Sequence, residues 1–97
     1  MAILEMATLT VKSGQELAYE QAFTKACRFI SAMKGYVGHE LHRCLENPSQ
    51  YVLLVQWDTL EDHTVGFRLS HEYQQWKMLL HPFYEPFPEV RHYERVT

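Results

Sequence analysis

The sequence is poor in the residues that would tie it to a specialised class. Two cysteines occur among 97 residues, Cys27 in a helical pattern and Cys44 in a strand pattern, with neither zinc-ligand spacing nor the density of a disulfide framework. Both are expected as free thiols in a reducing compartment. No Lys or Arg adjoins another, and nine basic against 12 acidic residues give a formal net charge of −3. Neither nucleic acid nor an anionic membrane is therefore expected as the principal partner. No stretch approaches the roughly 20 apolar residues of a membrane span, and the first residues lack the basic segment and apolar run of a signal peptide. A cytoplasmic location is the expectation. Also missing are a Gly-rich phosphate loop, metal-ligand spacing, and a nucleophile with an adjacent base. A hydrolase, kinase or nicotinamide enzyme would need one of these, so no cofactor and no metal site are expected.

What is present is an ordinary globular composition, 46% hydrophobic and 22% charged, which predicts one domain over residues 1–97. Ala2 to Val11 alternates as a strand, with Ile3, Ala7, Leu9 and Val11 on one face interrupted by Glu5. Ser13 and Glu16 have the spacing of a capping box. The helix that follows carries Tyr19, Ala22, Phe23, Ala26, Ile30 and Met33 along one face, with Gly35 at the place of its C-terminal cap. Tyr36 to Leu45 alternates as a second strand. Asn47, Pro48 and Ser49 turn it back into Tyr51 to Trp57, so these two strands should form an antiparallel hairpin. Thr59 with Asp62 predicts a short helix from about Leu60, Ser70 caps a helix over His71 to Leu80, and Pro82 ends it. Phe83 to Pro88 reads as a connector, and Val90 to Val96 as a last, polar strand.

The order strand, helix, strand, strand, helix pair, strand predicts an α+β fold, a ferredoxin-like βαββααβ sandwich with helices on one face of an antiparallel sheet. This order bears on assembly. Tyr51, Leu53 and Val55 alternate with Val52 and Leu54, so the third strand is apolar on both faces, yet the helices can cover only one. Leaving such side chains in water costs about 1.5–3 kcal/mol each. A homodimer with sheet against sheet removes that cost, through Val52 and Leu54 or through Leu53 and Val55.

With these residues placed, the sequence resembles the antibiotic biosynthesis monooxygenase family of dimeric α+β barrels over essentially its whole length. The marks are Gly35 to His42 (GYVGHELH), the strand ending Gln56-Trp57, and the run Leu60 to His71 followed by Tyr73. The resemblance implies a pocket in each subunit between sheet and helices, lined by residues after Trp57. It also implies a cofactor-independent oxygenation of a small phenol, quinol or polyketide-like aromatic; the rival reading is a non-catalytic small-molecule-binding barrel with the same pocket. The chain departs from the haem-degrading members of that family. Its first strand has no asparagine, and no tryptophan stands near Gly66.

Candidate residues cluster after the third strand. His63 and Phe67 are four apart and share a face of the short helix, with Gly66 between them leaving room for a flat ligand. An electron-rich phenol can reduce oxygen itself once deprotonated, so the protein must supply an apolar pocket, a base and a donor to the developing oxyanion. His63 is the candidate base, with His71 or Tyr93 as donor. Gly66, Phe67, Trp76 and His39 are candidates for contact with the ligand, although Trp57 and Trp76 also suit a core. His39 and His42 lie three apart on a strand, point to opposite faces and cannot grip one metal. Arg68 suits either an acidic group of a substrate or the C-terminal end of the short helix.

Overall fold

A computed structural model describes residues 2–97. Strand β1 (Ile3–Thr10) is followed by helix α1 (Glu16–Ser31), strands β2 (Tyr36–Arg43) and β3 (Gln50–Trp57), a π-helical turn (Asp62–Phe67), helix α2 (His71–Leu80), a 3₁₀ turn (His81–Phe83) and strand β4 (Glu89–Glu94). The four strands form one antiparallel sheet in the order β2-β3-β1-β4, the ferredoxin-like arrangement expected from the pattern. β1 therefore lies inside the sheet, paired with β3 on one side and β4 on the other.

The pleat divides each strand between a covered and an open face. Ala7 and Leu9 of β1, with Tyr51, Leu53, Val55 and Trp57 of β3, are buried in the core with Tyr19, Phe23, Ala26 and Ile30 of α1 and Trp76 and Leu80 of α2. Val52 and Leu54 emerge on the other face, pairing across the strands with Thr8 and Met6. The choice left open by the sequence is thus resolved. Leu53 and Val55 belong to the core, and Val52 and Leu54 to the face no helix covers.

Three local readings are corrected. The capping box at Ser13 does not form. Gln15 is the N-cap of α1 without a side-chain bond, Gly14 turns the chain at φ +86°, and the Glu16 carboxylate accepts a hydrogen bond from Ser49 Oγ at 2.6 Å. α1 stops at Ser31 with Ala32 as its C-cap, so Gly35 lies beyond the cap. There it holds a turn at φ +85° where an added Cβ would fall 2.1 Å from Asp62 Oδ2. In β2 the register shifts between Tyr36 and Gly38. This bulge places Tyr36 rather than Val37 beside His39, and Tyr36 Oη lies 2.5 Å from His39 Nδ1. The Ser70 cap does form, its Oγ accepting from the Tyr73 N–H at 3.0 Å. Thr59 Oγ1 likewise accepts from the Asp62 N–H at 3.1 Å, but the turn it starts widens into a π-helix.

Candidate functional site

The site begins with Glu5, the one residue that breaks the apolar face of β1. Its side chain turns toward the helices and is only 5% exposed. Burying a carboxylate this deeply is costly unless a donor meets it, and Trp57 supplies one, with His63 at ion-pair distance beside it. Trp57 Nε1–H donates to Glu5 Oε1 at 2.9 Å, and His63 Nε2 lies 3.3 Å from the same oxygen. His63, 2% exposed, comes from the π-helical turn and stacks on Trp57 with ring centroids 5.4 Å apart. Its other nitrogen, Nδ1, lies 2.7 Å from His92 Nε2. His92 stands opposite Glu5 in the β1–β4 register, so sheet pairing and the turn together build the line Glu5–His63–His92.

Charge is disfavoured throughout this line. Burial raises the Glu5 carboxyl above its ordinary range against the opposing effects of the Trp57 hydrogen bond and the Arg68 charge. Burial, then Arg68, then His92 push the His63 imidazolium down to about 3, and burial with Arg68 lowers His92. His63 is therefore neutral near pH 7. Nδ1 of His63 is paired with His92 Nε2, one of the two nitrogens donating and the other accepting. The contacts from Trp57 and His63 both fall on Glu5 Oε1, leaving Oε2 outside them.

Beside this line is a cavity of about 50 Å³ between the sheet and α2, walled by Glu5, Leu53, His63, Phe67, Arg68, Tyr73, Trp76, His81, Tyr84 and Val90 among others. Of the residues singled out from the sequence, His63, Phe67, Arg68 and Trp76 reach it. The others are held elsewhere. His71 is exposed at the start of α2. Tyr93 is 45% exposed on the open sheet face, since its neighbour His92 takes the inward position of β4. Gly66 points away, and an added Cβ would meet nothing nearer than Glu61 O at 3.8 Å. His39 is engaged between Cys27 Sγ at 3.3 Å and Tyr36 Oη, apart from the cavity wall. The residues not anticipated are Glu5, Tyr73, His81 and Tyr84. Cys27 and Cys44 are free thiols. Among the described residues no three His, Cys, Asp or Glu side chains converge as a metal set, and no helix is long and apolar enough to cross a membrane.

The neutral imidazoles make stability acid-sensitive. A histidine whose folded pKa lies below its unfolded value of about 6.5 stabilises fully above that pH and progressively less as pH falls toward the folded value. For His63 alone, moving from about pH 7 to about pH 5 should cost about 2 kcal/mol, and His92, His39 and His81 are lowered in the same direction. Glu5, being raised, opposes them, because its unfavourable ionisation is relieved by acid. Four groups against one predict a melting temperature lower at about pH 5 by on the order of 10 °C, measured by calorimetry. An unchanged value would mean that the histidines are charged in the fold.

A ferredoxin-like sheet with a buried acid–imidazole line against an aromatic-walled cavity defines a small α+β unit with a candidate ligand site. The chain belongs to the antibiotic biosynthesis monooxygenase family, whose profile matches residues 2–78. A Bordetella bronchiseptica protein that bears this family name has closely similar structure, with a TM-score of 0.95 at 33% identity, covering 99% of this chain and 98% of that one. Uncharacterized protein YczJ of Bacillus subtilis is 54% identical over 94 residues, 97% of this chain and 99% of its own. SnoaB, a cofactor-independent oxygenase from Streptomyces nogalater, shares the fold with a TM-score of 0.86 at 17% identity, over 99% of this chain and 94% of its own.

Proposed function

We propose that this protein is a cofactor-independent monooxygenase of a small phenol, quinol or polyketide-like aromatic, and that Glu5 is its base. The observation that carries the reading is the buried carboxylate itself, with raised basicity, on the wall of an aromatic cavity. For an anthrone-like substrate, Glu5 takes the acidic proton and the carbanion gives its electrons to dioxygen. A C–O bond forms, the O–O bond then breaks, and a C–H₂ carbon becomes a carbonyl with one water released. His63 holds Glu5 through Nε2 while His92 fixes its tautomer. Tyr73 and His81, across the cavity, can donate to the developing oxyanion.

A volume of about 50 Å³ suits one or two waters or dioxygen, whereas pockets for larger ligands run to about 300 Å³ and more. Substrate entry thus requires a wall to move. The segment 81–88, which supplies His81, Tyr84 and Pro88 to the cavity, is the irregular wall we assign to that movement. The reading includes a cytoplasmic homodimer joined through the open sheet faces. The family name supports the monooxygenase part of the reading.

The test is oxygen uptake with anthrones and naphthohydroquinones in the presence of a metal chelator. Uptake well above the uncatalysed rate is expected from the parent, and His63→Asn should slow it by about 10²-fold through misplacement of the base. No excess uptake across the panel would favour the binding-protein alternative.

A further inference from the structure

Arg68 stands on the cavity wall two residues beyond the outward-facing Gly66, half-buried. Among the described residues its guanidinium has no hydrogen-bond partner, and no carboxylate lies within ion-pair distance of it. It is not engaged at the end of the π-helical turn either, where the bonds to His63 O and Val65 O come from its backbone N–H. Its charge nevertheless acts on four groups around the cavity, Glu5, His63, His81 and His92. Glu5 is the one acid among these and lies beyond ion-pair distance, so the guanidinium's planar fork stays free to match a carboxylate with two parallel hydrogen bonds. The remaining walls are Phe67, Tyr73, Trp76 and Tyr84, which suit the flat body of an aromatic ring.

We propose that Arg68 is an anion clamp and that the ligand of this cavity is an aryl carboxylate, held by its acid group on Arg68 and by its ring among the aromatic walls. Resting on the function proposed above, the clamp narrows the substrate to a hydroxyaryl carboxylic acid whose phenol faces Glu5. Two carboxylates then share the cavity, and Arg68 neutralises the incoming one. Neutral quinols of the same shape lack this contact.

Binding is read without turnover, by quenching of Trp57 and Trp76 fluorescence, using 2-naphthoate, 2-naphthol and 2-naphthamide as probes. The naphthoate should bind about 10- to 100-fold more tightly than either neutral probe, the range of one charge-assisted hydrogen-bond pair. In Arg68→Gln the preference should vanish, and in Arg68→Lys part of it should remain. Equal binding of the three probes by the parent, no binding of any of them, or a preference that survives in Arg68→Gln would overturn the clamp. Oxygen uptake by the parent on neutral naphthohydroquinones tests the oxygenase reading separately, so the two can fail independently.

Discussion

Replacing Glu5 by Gln should lower oxygen uptake by about 10²–10⁴-fold, the loss that follows removal of a positioned proton acceptor, while the fold becomes no less stable. Gln keeps an oxygen that can accept the Trp57 N–H, now at 2.9 Å, and it removes the cost of holding a carboxylate at 5% exposure. The melting temperature should therefore stay level or rise. This opposition between activity and stability separates a base from a structural acid. If Glu5 serves only to tie β1 to the π-helical turn, the variant will melt earlier and any activity will fall only with the folded fraction. Rate and melting curve measured on one preparation decide between them.

The second large effect concerns assembly. Leu4, Met6, Val52 and Leu54 sit half-buried on the face that no helix covers, and a partner's matching sheet would take them out of water. Replacing Leu54 by Glu places a charge in the middle of that surface, opposite Met6 and next to Glu40 of β2. Burying an unpaired carboxylate there costs several kcal/mol per copy. The parent should sediment as a dimer at micromolar concentration, and Leu54→Glu as a monomer, with a dissociation constant raised at least about 100-fold. A parent that sediments as a folded monomer would contradict the proposed assembly. The substitution should leave the core itself untouched, because the inward-facing positions of this strand are Leu53 and Val55.

Most of the fold was legible because it rests on local signals. The alternation through β3, the Ser70 cap and the turn at Asn47 each depend on neighbours within a few residues, and each led to the right element. The site was less legible because it depends on pairing at long range. Glu5 was visible as an interruption of an apolar face, and a charge on the inward side of a strand is itself a signal. Its partners were not visible, since only the central position of β1 brings His92 opposite it, and only the π-helical widening brings His63 between them. The expectation for Tyr93 placed a side chain one position from the inward-facing His92, and in a strand that step is the difference between core and surface. Ser13 failed as a cap for a local reason, the left-handed turn at Gly14, and the nearby Glu16 found a hydroxyl on another element. The family profile ends at residue 78, so His81, Tyr84 and His92 lie beyond what that likeness describes.

The sheet order has a temporal side. Of the four strands, the one bearing Glu5 is synthesised first and the one bearing His92 last, yet the two residues are cross-strand neighbours. Until β4 docks, one flank of β1 is an unpaired edge, and the carboxylate on it has solvent for company instead of its histidine line. A domain generally folds as a unit during synthesis, and here the acid–imidazole line waits for the final strand. Emergence of β4 from the ribosome and completion of the buried acid site are, for this topology, nearly the same event.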